Sequence, residues 1–260
     1  FSITILLKDI DEIIENNNLQ FVEHNVEEKL DESKGEIEIL FNIFEAKKIL
    51  VERINVVGNN ITNENVIRSE LILDEGDPFT KLKLDKSISN LKARNIFADV
   101  EAETKVGSSN DLRNIEIKVE EKPTGEISAG AGVGTSGGNF AFNIRENNWL
   151  GEGKQVDFAI DIDEESLSGR LNFTDPNYDF LGNALNVYIS STGNDKPDQG
   201  YENTIVGAGI ETRFEQYKNI FASLGLNLSY DDLRTLSSAS DTLKKQSGEF
   251  TELSGNYGFT

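Results

Sequence analysis

The sequence predicts an α+β module of order β-α-α-β-β followed by an antiparallel transmembrane β-barrel, read here as its N-terminal half. Three observations lead there. From Gly125 onward, apolar residues alternate with small or polar ones, and turn clusters break the alternation. In Gln155–Asp163, Val156, Phe158, Ile160 and Ile162 fall on one side and Asp157, Ala159, Asp161 and Asp163 on the other, because a strand sends successive side chains to opposite faces. An oily face backed by carboxylates suits a wall between lipid and water. Residues 1–122 follow a different grammar, mixing helical stripes with strands. Finally, every other turn after Gly125 bears aromatics, and the turns between are polar.

Within the first part, Ile10, Ile13 and Ile14 share a helical face over Asp9–Asn17, which Asn16-Asn17-Asn18 ends. Strands are expected at about Phe21–Glu28 and Glu36–Phe44. Residues 48–122 then give the plan in full. A strand over Ile49–Val57 is followed by the turn Gly58-Asn59-Asn60. Thr62 or Asn63 caps a helix to about Leu73, with Glu64 favourable in its first turn. Asp74-Glu75-Gly76-Asp77-Pro78 breaks it. Thr80 opens a second helix with Leu84, Ile88 and Leu91 on one stripe, and Asn95 ends it. Strands Phe97–Lys105 and Leu112–Glu120 close the unit around Gly107-Ser108-Ser109-Asn110. Residues 1–47 match the C-terminal part of the same plan, an internal repeat.

Pro123-Thr124-Gly125 marks the boundary. Beyond it come about eight strand candidates, at 125–134, 139–147, 154–163, 166–175, 184–192, 202–214, 219–230 and 248–260. No helical stripe separates them, so hairpins should connect them. Trp149, Tyr178, Phe180 and Tyr217 sit in alternate turns, as membrane-interface aromatics do. The longer polar loops are Gly193–Gly200 and Asp231–Gly248, the latter carrying Asp231-Asp232 and Lys244-Lys245.

Composition narrows the function. A net charge of -21 disfavours nucleic acid, whose backbone demands basic neutralisation. Without cysteine there is no disulfide or thiolate chemistry. No run approaches the roughly 18 apolar residues of a spanning helix, a test that barrel strands escape. Phe1-Ser2-Ile3-Thr4 and Gly258-Phe259-Thr260 read as interiors of elements, so a longer chain is expected on both sides.

Candidate chemistry is sparse. Gly132-Val133-Gly134-Thr135-Ser136-Gly137 has dinucleotide-loop spacing, but an alternating strand follows where a helix N-terminus is required. The better reading puts Gly130, Gly132 and Gly134 on one face of a strand with a weak grip on its neighbour. His24, the only histidine, lies in a strand beside no Ser or Asp pair. Asp157, Asp161, Asp163, Glu164 and Glu165 lack calcium-loop spacing and read as a hydrated face. No catalytic residue, cofactor or metal is expected.

Several segments carry a resemblance in order. They are Lys122-Pro123-Thr124-Gly125, Gly130-Ala131-Gly132-Val133-Gly134-Thr135, Asn147-Asn148-Trp149-Leu150-Gly151-Glu152-Gly153 and Phe173-Thr174-Asp175-Pro176-Asn177-Tyr178. Together they resemble the BamA family of outer-membrane β-barrel assembly proteins. Val57-Gly58-Asn59, Arg68-Ser69-Glu70, Glu75-Gly76 and Asn95-Ile96-Phe97 fall where polypeptide-transport-associated (POTRA) domains keep similar residues; Asn95 replaces the expected Gly. The resemblance implies that 1–47 end one POTRA domain, 48–122 form the last, and 123–260 begin the barrel.

It further implies insertion of unfolded outer-membrane protein clients into the lipid bilayer, without ATP. Clients would add a strand at a POTRA edge (Phe97, Val100, Ala102) and at a lateral gate in the first barrel strand (Gly130, Gly132, Gly134). Glu75, with Arg68, matches a position that meets an accessory outer-membrane lipoprotein; two solvated charges are the equal alternative. Competing readings are an export pore of the same superfamily and a soluble periplasmic carrier with a closed β-domain.

Overall fold

The computed structural model describes residues 6, 10, 13–14, 17, 21–31, 36–45, 47–134, 137–179, 181–217 and 220–260. In chain order the elements are β1 (Val22–Asp31), β2 (Glu36–Glu45), β3 (Leu50–Val57), α1 (Glu64–Arg68), α2 (Lys81–Ala93), β4 (Phe97–Val106) and β5 (Leu112–Glu121), followed by β6 (Gly125–Gly134), β7 (Gly137–Trp149), β8 (Lys154–Asp163), β9 (Ser166–Asp175), β10 (Ala184–Lys196), β11 (Tyr201–Tyr217), β12 (Ile220–Thr235), α3 (Asp241–Lys244) and β13 (Gly248–Phe259). They form two compact units, residues 1–59 with 70–121, and residues 60–69 with 122–260.

The first unit holds an antiparallel pair, β1 with β2, and a three-stranded sheet of order β3-β5-β4. β3 runs parallel to β5 and β4 antiparallel to it. Central β5 buries alternate residues Ile115, Ile117 and Val119. They meet Val51 and Ile54 of β3, Val100 of β4 and the Leu84/Leu91 stripe of α2 in a core from which water is excluded. Each such side chain contributes about 1.5–3 kcal/mol relative to exposure.

α2 starts as expected. The Thr80 hydroxyl accepts the Lys83 N–H at 3.2 Å, satisfying one of the first-turn donors. It ends at Asn95, whose φ of +56° is the left-handed conformation anticipated for that position. The helix expected over Asp9–Asn17 lies largely outside the described residues.

The helix from Asn63 to Leu73 is cut to one turn. Asn63 stands at its N-cap without a side-chain capping bond, and the helix stops at Arg68. Ser69 turns its hydroxyl back to the Val66 carbonyl, and the Ile72 N–H goes to the buried Ser87 hydroxyl at 2.9 Å. Local back-bonding and a tertiary acceptor thus replace helical bonds.

In the second unit, β6 to β13 form one antiparallel sheet of eight strands in sequence order. Ile127, Ile144, Phe158, Leu171, Ile189, Ala208, Leu228 and Leu253 stand directly opposite one another, strand to strand, in an unbroken row. One residue further along each strand the face reverses, giving Glu126, Arg145, Asp157, Asn172, Tyr188, Gly209, Asn227 and Ser254. Phe142, Phe158, Leu171, Val187 and Leu226 all share the apolar side. Such a contiguous exposed apolar surface marks contact with a non-aqueous partner. Among the described residues no helix is long and apolar enough to cross a membrane, which says nothing of strands.

The polar side is knitted laterally. Asn186 donates to Asn172 at 3.0 Å and to Thr174 at 2.9 Å. Tyr188 donates to Asn227, Asn227 to Asn256 and Asn256 to Glu211, at 2.9, 3.0 and 2.8 Å. The Arg170 guanidinium stacks over the Tyr188 ring at 4.5 Å. Strands here outrun the sequence expectation. β10 continues to Lys196 and β12 to Thr235, so Asp231 and Asp232 are strand residues facing Ile205 and Thr204 rather than loop residues. The remaining loop contains the short helix α3, capped by the Ser240 hydroxyl on Leu243 N–H.

Candidate functional site

The two borders of the three-stranded sheet differ. β4 pairs only with β5 among the described residues, so its outer N–H and C=O groups are not used in a ladder. Phe97 and Val100 point into the core, and Ala102 is half-buried; the border is presented by backbone, not by these side chains. Beside it lies a groove of about 460 Å³ lined by Leu84, Asp85 and Ile88 of α2, Ala102 and Thr104 of β4, and Phe79. At the start of the border the Val100 N–H, and then the Lys92 ammonium 3.2 Å away, hold the Asp99 carboxyl below its ordinary pKa.

The β3 border is occupied. Asp74–Phe79 runs along it: Val51 N–H donates to the Asp77 carbonyl at 2.8 Å, Gly76 N–H to the Val51 carbonyl at 2.7 Å, and Phe79 N–H to the Ile49 carbonyl at 2.9 Å. Leu50 and Pro78 form a bridge. The Glu75 carboxylate adds the last bond, accepting the Ile54 N–H at 2.9 Å. Residues three apart in a strand normally face opposite ways. Here β3 carries an extra residue between Val51 and Arg53, and this bulge brings Val51 and Ile54 to the same border. The same extra residue explains why both are buried.

Arg68, expected to assist Glu75, lies in α1 and pairs with Glu64 at 2.7 Å, one turn away.

Gly130, Gly132 and Gly134 share the polar side of β6, opposite Ala141, Asn139 and Gly137. All ten residues of β6 are exposed. A Cβ at Gly130 or Gly134 would meet nothing within 4 Å, whereas at Gly132 it would come within 2.5 Å of the Asn139 amide oxygen.

Trp149, Tyr178 and Tyr217 are exposed at one end of the sheet, where the β7–β8, β9–β10 and β11–β12 connections lie. Phe180 lies outside the described residues. Thr124 leads into β6 at this same end.

The turn after Trp149 does more than anchor an aromatic. Asn148 is buried, its amide donating to the Thr62 hydroxyl at 2.9 Å and its carbonyl oxygen accepting the Gly153 N–H at 2.7 Å. The Gly151 carbonyl accepts the Asn63 N–H at 2.8 Å. Gly151 has φ +74°, and a Cβ there would sit 2.2 Å from the Ile61 carbonyl oxygen. Glu146 accepts from Thr124 Oγ1 and from Asn148 N–H. Within the second unit the turn is therefore a socket for residues 61–63. Sequence reasoning saw these residues only as a motif. The usable signal was two turn glycines, Gly151 and Gly153, following Asn148.

The other candidates fall where chemistry is not assembled. His24 is half-buried in β1 opposite Ile43. Asp157 accepts from Arg145 Nε and, at 2.7 Å, from the Gln155 amide, and Asp163 accepts from Ser166 at 2.6 Å. Of the stretch spaced like a dinucleotide loop, Gly132, Val133 and Gly134 belong to β6 and Gly137 opens β7, so a strand stands where a helix N-terminus is required, and Thr135 and Ser136 lie outside the described residues.

Residues 49–122 match the POTRA family, described as a surface antigen variable number repeat, and residues 148–260 match the Omp85 superfamily domain. The outer membrane protein assembly factor BamA of Neisseria meningitidis serogroup B is 28% identical over 185 residues, 67% of this chain and 23% of that protein. BamA of Neorickettsia risticii is 25% identical over 208 residues, 78% of this chain and 28% of that protein. The chain thus spans about a quarter of the length of these curated relatives. Among solved structures, BamA from Haemophilus ducreyi lacking POTRA domains 1-3 gives a TM-score of 0.70 at 23% identity, covering 100% of this chain and 53% of that one. CdiB from Acinetobacter baumannii gives 0.55 at 13% identity, over 97% and 49%. The chain carries a POTRA domain over residues 49–122 followed by an Omp85 superfamily domain over residues 148–260.

Proposed function

We propose that this chain is part of an assembly protein that inserts and folds β-barrel clients into the bacterial outer membrane. The sheet of β6–β13 sits in the outer membrane and the POTRA domain in the periplasm. The observation that carries the reading is a POTRA sheet with one open border, joined in sequence to a strand sheet with an unbroken apolar row. Curated relatives matched across both parts are named as assembly factors. An unfolded client is an extended, alternating chain, and an open border accepts it through main-chain hydrogen bonds while the groove beside β4 takes alternate side chains.

Two finer roles belong to the proposal. β6 is the lateral gate, where Gly130, Gly132 and Gly134 limit side-chain interlock with an incoming strand. Arg68 and Glu75 meet an accessory lipoprotein. Neither role uses a cofactor or a catalytic residue.

The test reconstitutes the parent protein in lipid vesicles and follows the folding of a urea-unfolded outer-membrane barrel by its heat-modifiable gel shift. Faster folding than in empty vesicles is expected. Equal rates would sink the reading, and transfer of a soluble protein across the vesicle wall instead would favour the export pore.

A further inference from the structure

The open border of the POTRA sheet carries charge as well as backbone groups, and the charge decides which strands suit it; this rests on the strand-addition reading above. β4 divides its side chains between the two sides of the sheet. Val100, Ala102 and Thr104 fall on the side of α2, where Ala102 and Thr104 line the groove with Phe79, Leu84 and Ile88. Glu101, Glu103 and Lys105 fall on the other side and are exposed. Across β5, Glu101 stands opposite Lys118, Glu103 opposite Glu116 and Lys105 opposite Asn114. Glu103 and Glu116 are thus a like-charge cross-strand pair, an unfavourable arrangement. The Lys105 ammonium offsets it by reaching both carboxylates, at 3.2 and 3.6 Å. Glu101 has no hydrogen bond or ion pair among the described residues, and exposed Glu120 adds another carboxylate on this side.

We propose that the β4 border selects client strands whose polar face is basic, with Lys or Arg directly across from Glu101 and Glu103 while apolar side chains fill the groove. A strand added to β4, in either direction, lengthens two rows by one residue each: Val57, Lys118, Glu101 and Asn55, Glu116, Glu103. A cation in the first row makes an opposite-charge pair with Glu101, and in the second it breaks an acidic run. A carboxylate in either place lies beside like charge. The border therefore rejects strands of the kind this chain itself supplies. The polar side of β8 carries Asp157, Asp161 and Asp163, and the chain as a whole has a net charge of -21. Complementarity of this sort suppresses wrong partners more than it tightens right ones.

The experiment uses the full parent protein with a photo-cross-linking residue in place of Thr104, on the groove side of β4 and away from the charged side. Two synthetic peptides are the probes. One is the amphipathic strand Lys154–Asp163 as it stands, and the other is the same strand with Asp157→Lys, Asp161→Lys and Asp163→Lys. At low salt the lysine form is expected to cross-link about fivefold more than the aspartate form, as for two cross-strand pairs of ordinary strength. High salt should shrink the difference, because these charges are exposed. Glu101→Lys combined with Glu103→Lys is expected to invert the order. Nonspecific attraction of a cationic peptide predicts no inversion, since two substitutions leave the chain strongly negative. Glu101→Lys alone should narrow the preference, and it carries the test if the double variant folds poorly. Equal cross-linking of the two peptides by the parent, or a preference that both variants leave unchanged, overturns the proposal and leaves strand addition standing. Absence of cross-linking by either peptide defeats the strand-addition reading itself, and the selectivity falls with it.

Discussion

Asn148 and Thr62, eighty-six positions apart in sequence, hold each other through a buried side-chain hydrogen bond. Both ends of the Asn148 amide are in use, because its oxygen also takes the Gly153 N–H. Truncating it takes a donor from the Thr62 hydroxyl and an acceptor from the Gly153 N–H in a buried site. Asn148→Ala is expected to destabilise the second unit by roughly 1–3 kcal/mol, read by denaturant unfolding. Asn148→Asp keeps the acceptor for Gly153 and gives up the donor to Thr62. Amide exchange at Gly153 should therefore stay slow in the Asp variant and become fast in the Ala variant. Equal exchange in the two would remove Asn148 from the centre of the socket.

Gly151 and Gly76 separate backbone strain from collision. Both have positive φ, +74° and +97°. A methyl at Gly76 meets open space, but at Gly151 it runs into the Ile61 carbonyl oxygen. Gly76→Ala should cost only the conformational penalty, about 1–2 kcal/mol. Gly151→Ala should cost more and expose Asn63 N–H to exchange. Thermal unfolding of the two variants side by side gives the order, and a milder Gly151→Ala would mean that the turn yields.

Leu171 and Asn172 are neighbours on opposite sides of the eight-stranded sheet. If the apolar row faces acyl chains, Leu171→Arg costs on the order of 2–4 kcal/mol near mid-bilayer, whereas Asn172→Arg is tolerated on the wet side. Folded yield in vesicles, scored by the heat-modifiable shift, should fall for the first and not for the second. Similar yields would argue that both sides are solvated.

Glycine at 132 tests the proposed gate. A valine there meets the Asn139 amide and favours a stiffer strand, so Gly132→Val should impair client insertion while the protein stays in the membrane. Gly130→Val, with open space at its Cβ, should be milder. Normal growth of a strain carrying only Gly132→Val would show that these glycines have no gating role.

Glu52 gives a pH dependence. The Ser108 hydroxyl and N–H, the latter at 2.8 Å, lower its pKa from an ordinary value of 4.5. A depressed carboxyl contributes stability above its unfolded pKa and loses it as pH falls through the folded value. Amide exchange at Ser108, corrected for its intrinsic rate, should be constant from neutral pH down to about the ordinary carboxylate range and rise below it. Glu52→Gln should remove the dependence. A pH-independent Glu52 protein would assign the loop's order to other bonds.

Much of this was legible because it depends on local rules. The alternation in Gln155–Asp163 fixes which side chains share a face, and Thr80 and Asn95 state the limits of α2 through their own capping chemistry. What could not be read depends on partners far away. The helix after Asn63 looks viable as a sequence; it fails because Ser87 claims Ile72 N–H and Thr62 is committed to Asn148. The bond between Glu75 and the Ile54 N–H was hidden because nothing local announces that the extra residue in β3 turns that N–H to the outer border. The length of β12 was hidden by Asp231 and Asp232, whose acidity suggests a loop until their cross-strand neighbours Ile205 and Thr204 are known.

A sheet with both flanks bare can polymerise, each copy templating the next. With the β3 flank sealed, two copies meeting through β4 would consume both free borders and growth would end at a pair. The segment Asp74–Phe79, bonded by its backbone along Ile49–Val51, thereby works against open-ended stacking through this sheet.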